Sequence, residues 1–291
     1  GIIPLRPLSM GEIFDGAFRA VRYNPRVMFL LAAIVAGGLG VIDMLVAWLV
    51  GPVSVDTGPS SINDPFVDIY ASQTIASTLS AVISLVATTA LTGVIVKTVA
   101  DAVLGRQTTV PEALNVIRGR VFGLIRVSLI SNMPLFIFLV LLIITIKTNS
   151  FGMIQVLLLL GVVAFVLHIW LVIKTMFANP ALILEEKRVG AALRRSFALT
   201  RNRWWRLFGI YITAMIVVGI AAAVIAAPLS FIALAVTDIG SLGYQLTIAL
   251  SRVVTNTITV PFSAAVIALL YIDTRMRSEG LDITLQRAAG A

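Results

Sequence analysis

The sequence predicts an all-α integral membrane protein, a bundle of six transmembrane helices with amphipathic elbow helices lying in the membrane interface. Three observations predict it. Apolar residues make up 59% of the 291 positions and charged residues 12%, against about half and about a quarter in an ordinary soluble domain. Mean hydropathy is +1.01, which is more apolar surface than a water-soluble fold of this length can hide. Six separate stretches also reach the roughly 20 mostly apolar residues that one crossing requires. The same composition excludes intrinsic disorder, because disordered chains are poor in these residue types.

The chain opens with an elbow rather than a secretory signal. Residues 1–25 carry Glu12 and Asp15 ahead of any long apolar run, whereas a signal needs a basic end, an apolar core and a small-residue cleavage site. Gly1 in place of Met is read as a trimmed or tagged start, which leaves open a soluble N-terminal extension in the native gene product. Ser9 and Glu12 have the S-x-x-E spacing that satisfies free amides at a helix start. Ile13, Phe14, Ala17, Phe18 and Val21 then fall on one helical face.

The six spans are expected at residues 27–50, 72–99, 122–146, 151–177, 205–227 and 245–272. The fifth can continue through Pro228 towards Val236 as a kinked helix, since proline bends a membrane helix more readily than it ends one. A second elbow at 109–120 repeats the spacing with Thr109 and Glu112, with Pro111 in its first turn. A third, at 189–205, ends in Trp204 and Trp205. Apolar faces with basic edges suit the interface plane. The chain therefore reads as three units, each an elbow followed by a helical hairpin, spaced unequally at about 100 and then about 80 residues. An internal repeat and a plain series of basic segments before inward-starting spans both remain open. The expected organisation is a single polytopic domain over 1–291, with the N-terminal elbow at 1–25, the bundle at 26–272 and a tail at 273–291.

Charge sorts by side of the membrane. Arginines and lysines cluster before span one, between spans two and three, between four and five, and after six. The opposite loops carry Lys147 against Asp56, Asp64, Asp68 and Asp238. This is a positive-inside pattern, so both termini are expected in the cytoplasm and the protein in a plasma membrane. The net charge of +8 then reflects orientation and contact with anionic headgroups, and no nucleic-acid partner is expected. Headgroup contacts are expected at Arg19, Arg22, Arg118, Arg120, Arg194, Arg195, Arg201, Arg203, Trp204 and Trp205.

Ionisable residues inside spans are costly and point to function. Asp43 and Arg252 each lie about seven residues from the outer end of their spans, so both sit roughly 10 Å deep. They are expected to face the bundle interior and to pair. Asn132 beside Pro134, His168 in span four, and Asn256 among Thr255, Thr257 and Thr259 lie nearer the middle. Together they are candidates for a polar cavity, and singly they would make interhelical hydrogen bonds. Lys97 and Asp101 are expected to pair at i,i+4 near a span end. The run Gly37-Gly38-x-Gly40 permits close helix approach in span one.

No catalytic residue, cofactor site or metal site is expected. The chain has no cysteine and a single histidine, which is a poor metal site alone. It shows neither a phosphate-binding glycine loop nor a nucleophile elbow.

Three stretches carry a resemblance. They are Leu5 to Arg19, then Asn179 to Glu185 with Ala192 to Arg206, and finally Leu270 to Asp282. Together they resemble actinobacterial polytopic proteins related to the membrane domain attached to some glycerophosphodiester phosphodiesterases. The resemblance implies the membrane portion only, because such a phosphodiesterase needs a separate soluble barrel with His and carboxylate ligands. It implies no agreed biochemical activity.

Two functional readings follow. The favoured one is a non-enzymatic subunit, assembly or scaffold component of a cell-envelope system, with membrane lipids and other membrane subunits as partners and homo-oligomerisation left open. The alternative is a transporter or flippase-like carrier of a lipid or other amphiphile. The carrier needs one continuous polar cavity joining Arg252, Asp43, Asn256 and His168.

Overall fold

The structure, a computed structural model, describes residues 3–4, 6–50, 65–148, 151–237 and 242–280. Gly1, the loop residues Asp56, Asp64 and Asp238, and Arg287 lie outside the described residues. Among those described there are helices and no strand. Five helices are long and apolar enough to cross a membrane, and a bent pair makes a sixth if counted as one span. Large apolar side chains cover the outside, including Leu158, Phe165, Ile220 and Phe231. An exposed apolar belt of this extent marks a surface that meets lipid rather than water.

The first elbow, α1 (Met10–Tyr23), begins as its spacing requires. The Ser9 side chain accepts from the Glu12 amide at 3.3 Å, and Glu12 Oε2 accepts from the Ser9 amide at 2.7 Å. Ile13, Ala17 and Val21 are buried, while Phe18 leans outward against the Phe262 ring at 4.6 Å. Asn24 ends the elbow in a non-helical conformation, as the residue before a proline prefers. Pro25 then opens α2 (Pro25–Val50).

Two side chains tie that corner to the next one. Tyr23 donates to the Gly105 carbonyl at 2.9 Å and Asn24 to the Thr108 carbonyl at 2.7 Å. Gly105 is where the second span, α3 (Pro65–Val103), turns off: it has φ 77°. The Arg106 and Gly105 amides reach back to the Asp101 and Ala102 carbonyls, a helix stop that needs a left-handed residue. Lys97 pairs with Asp101 at 2.5 Å, and Asp101 also accepts from Thr108. The second elbow, α4 (Val110–Arg118), follows at once, with Glu112 accepting from the Thr109 amide at 2.9 Å.

The third span is broken. It runs as α5 (Val121–Ser131) and α6 (Met133–Thr148), bent by 61°, within the single span expected over 122–146. The cause is local. Asn132 turns its amide side chain back to the Ser128 carbonyl at 2.8 Å, and Pro134 has no amide hydrogen with which to continue the ladder.

The fourth span, α7 (Phe151–Thr175), leads through the short α8 (Ala178–Leu184) into the third elbow, α9 (Val189–Thr200). Ser196 fastens that elbow to the span. Its hydroxyl donates to the Lys174 carbonyl at 2.6 Å and accepts from the Phe177 amide at 3.1 Å. The fifth span, α10 (Trp204–Val236), continues through Pro228, and the sixth, α11 (Leu242–Glu279), continues through Pro261. The helical end therefore lies six residues beyond the expected start of the tail at 273.

Each span packs on its hairpin partner: α2 on α3, α6 on α7, and α10 on α11. The centre is α11, which also meets α1, α2 and α3. Small side chains put it there. Ala264, Ala265 and Ala268 are fully buried or nearly so, and such residues let backbones approach closely where lipid provides no hydrophobic drive. The glycine run of α2 acts at one position. A Cβ at Gly40 would touch Val253, whereas Gly37 and Gly38 face open space.

Candidate functional site

All three elbows gather at one end of the bundle, and the charges there bond to one another. The centre is Asp273, fully buried on the last turns of α11. Its Oδ1 accepts from the Leu8 amide at 2.7 Å and its Oδ2 from Arg206 Nη1 at 2.8 Å. Arg277, one turn on, donates through Nε to both oxygens at 3.0 and 3.1 Å. The two arginines also donate to the Leu8 carbonyl, at 3.1 and 2.6 Å. A buried carboxylate persists only when paired and hydrogen-bonded in this way.

A second cluster lies on the other side of the α11 end. Glu185, just past α8, accepts from Tyr271 and pairs with Arg195, Lys187 and Arg275. Arg195 and Arg275 also pair with Glu279. Burial alone would raise the Glu185 carboxyl, but the Tyr271 hydrogen bond and the Arg195, Arg275 and Lys187 charges outweigh it and hold the group below its ordinary value. Glu186, at φ 54°, turns the chain between α8 and α9. It also pairs with Arg120 at 2.8 Å. Glu185 and Asp273 carried no sign of their role in the sequence beyond lying in the stretches that bear the family resemblance.

Inside the bundle, Thr88, Thr89, Ser128, Ser131, Asn132, His168, Thr175, Asn179 and Tyr211 line a polar cavity of about 240 Å³. Hydroxyls bridge across it, Thr89 to Ser128 and Ser131 to Thr175, each at 2.7 Å. His168 Nδ1 and Asn179 Oδ1 are buried without a partner. The structure thus brings Asn132 and His168 together, but not Asn256, Asp43 or Arg252, which are absent from that lining. Asn256 is half-buried on α11. The residue of α11 that lines the cavity is Ile267, three helical turns or about 16 Å along the helix from Asn256.

Towards the far end, Arg252 Nη1 lies 3.4 Å from Asp43 Oδ2, across the α2–α11 contact. The two do meet, but they do not both face the interior. The Arg252 side chain is 66% exposed and that of Asp43 23%. A long guanidinium stem can keep its head at the surface while reaching a shorter partner below.

Several arginines expected at lipid headgroups also bond to other elements of the chain. Arg120 donates to the Ile183 carbonyl, Arg195 holds Glu185 and Glu279, and Arg203 donates to the Arg277 carbonyl at 3.0 Å. Each has an acceptor from another element within reach, which a charge count along one elbow cannot reveal. Arg22, Arg118, Arg194 and Arg201 are exposed, and Arg19 is exposed with its i−4 partner Asp15. Trp205 is 77% exposed, and Trp204 stacks on Phe208 at 5.0 Å. Among the described residues no three metal-ligating side chains come together.

Helices of this length, an apolar exterior and polar clusters closed at one end define a multi-pass α-helical membrane protein. Residues 143–286 match the family described as the membrane domain of glycerophosphoryl diester phosphodiesterase, and the chain is related to that family. The match takes in Glu185, Arg195, Arg206, Asp273 and Arg277, the residues that build both charge clusters. No match was found to a curated protein or to a solved structure.

Proposed function

We propose that this is a non-enzymatic membrane subunit, an assembly or scaffold component of a bacterial cell-envelope system, set in the plasma membrane with its elbows and termini in the cytoplasm. One observation carries the reading. The polar groups within the described bundle fall into separate sets, with the Asn132–His168 cavity apart from the Asp43–Arg252 pair. A carrier needs those groups on one route. The elbow end supports the same reading, because its carboxylates at Asp273 and Glu185 join helices to one another.

The carrier alternative keeps one observation in its favour. Buried polar atoms normally find partners, and His168 Nδ1 and Asn179 Oδ1 in the cavity have none. Reconstitution separates the readings. Purified protein in liposomes is expected to move labelled phospholipid no faster than protein-free vesicles. Movement abolished by Arg252→Ala would overturn the subunit reading. Mild-detergent purification from the native host is expected to retain a stoichiometric membrane partner.

A further inference from the structure

Beyond the subunit reading, and independent of it, we propose that the elbow end holds a binding pocket for a phosphate-bearing anion. The pocket lies at the start of α10, where that helix meets the end of α11 and the chain before α1. It encloses about 780 Å³, within the size range of sites for small organic ligands. Arg201, Arg203, Arg206 and Arg277 line it with Trp204 and Trp205, and among the described residues no carboxylate does.

The arginines are held in place, and their charge is not cancelled. Asp273 and the Leu8 carbonyl fix Arg206 and Arg277 from behind. Each guanidinium has five N–H donors, so donors remain after these bonds. Arg203 is fixed by the Arg277 carbonyl, and exposed Arg201 has no ion pair among the described residues. Four positive charges thus stand against the single buried carboxylate behind them. Arginine forks match phosphate oxygens in geometry and in charge.

Two further features point to the same ligand. The Trp204 indole N–H is shielded from solvent and has no acceptor. It can only donate, so a shift of the ring towards the pocket that Trp204 lines would let an anion's oxygen satisfy it. The first amides of α10 have no intrahelical acceptor, and Arg203 at the helix start supplies no side-chain cap. A helix start of this kind favours an anion. The tryptophans also place the pocket at headgroup depth. A phospholipid with an exposed phosphomonoester and a soluble phosphate compound share this chemistry, and their sources can be told apart.

The test uses the full chain in detergent and native mass spectrometry, with either phosphatidic acid or inorganic phosphate as probe and phosphatidylcholine as control. One phosphatidic acid per chain is expected to be retained in preference to phosphatidylcholine. Arg201→Ala and Trp204→Phe are each expected to weaken retention about tenfold, the scale of one charge-assisted hydrogen bond to a charged group. Arg194→Ala, which removes equal charge from an exposed elbow site outside the pocket, is expected to leave it unchanged. Retention of phosphatidic acid that phosphate does not displace assigns the pocket to a lipid. Binding of phosphate alone, with the same sensitivity to Arg201 and Trp204, assigns it to a soluble ligand. Equal losses from Arg194→Ala and Arg201→Ala would reduce the effect to general surface charge and overturn the proposal, as would no binding of either probe.

Discussion

The Leu8 amide lies 2.7 Å from a carboxylate oxygen of Asp273, joining positions 265 residues apart. The segment before the first elbow is thereby bonded to the final turns of the last helix. Arg206 and Arg277 complete the joint by gripping the same carboxylate and the Leu8 carbonyl.

Removing the Asp273 carboxylate should therefore loosen the whole elbow end. Asp273→Ala strands two arginines beside a buried site, and a loss of about 3 kcal/mol is expected for breaking such a cluster. Asp273→Asn keeps an acceptor for the Leu8 amide and should cost less. Thermal unfolding in detergent reads both; an alanine variant as stable as the parent would show that the joint contributes nothing.

The second cluster predicts a pH dependence. Glu185 has its carboxyl held below the ordinary 4.5 when folded. A carboxyl depressed in the folded state adds stability that is present above the unfolded value and lost as pH falls through the folded one. The stability gap between the parent and Glu185→Gln should thus stay level above pH 4.5 and narrow below it. Glu12, Glu112 and Glu186 are also held low, by Ser9, Thr109 and Arg120 respectively, but they titrate alike in both proteins and cancel in the difference. A gap that widened on acidification would contradict the assignment.

At the far end, Asp43 and Arg252 should couple weakly. The pair is long at 3.4 Å and its arginine is mostly exposed, so a double-mutant cycle is expected to give less than about 1 kcal/mol. Arg252→Ala should cost more than Asp43→Ala, because it strands a carboxylate that already has one oxygen buried without a partner. The double variant should recover part of that loss, and strictly additive losses would argue against pairing.

Since the chain has no native cysteine, single cysteines can map its sidedness. Arg22→Cys, Arg118→Cys and Arg194→Cys are expected to react with an impermeant maleimide from the cytoplasmic side alone. Ser60→Cys and Thr237→Cys should react from outside. A Ser60 and Arg194 pair labelled from the same side would reverse the proposed threading.

Much of this architecture was legible in the sequence, for physical reasons. Apolar runs have one cheap place to go, so the spans could be read directly. The Ser9–Glu12 and Thr109–Glu112 spacings are local, and local hydrogen bonding placed the elbows. Depth along a helix is also a matter of counting, which is why Asp43 and Arg252 could be matched. Which polar groups share one cavity is not, and Asn256 lies outside the one that holds Asn132 and His168. The bend at Asn132 needed a side chain folding back on its own helix, which proline alone did not announce. Glu185 and Asp273 looked like ordinary charges at helix ends, because the partners that bury them arrive from remote parts of the chain.

The stitch between Leu8 and Asp273 also sets an order of events during biosynthesis. The first elbow leaves the ribosome well before its anchor, which follows 265 residues later. At usual translation speeds of about 5–20 residues per second, the intervening stretch takes roughly 13–50 seconds to make. For that interval the opening segment must wait undocked beside the insertion machinery, and it is secured only when the closing helix has entered the bilayer.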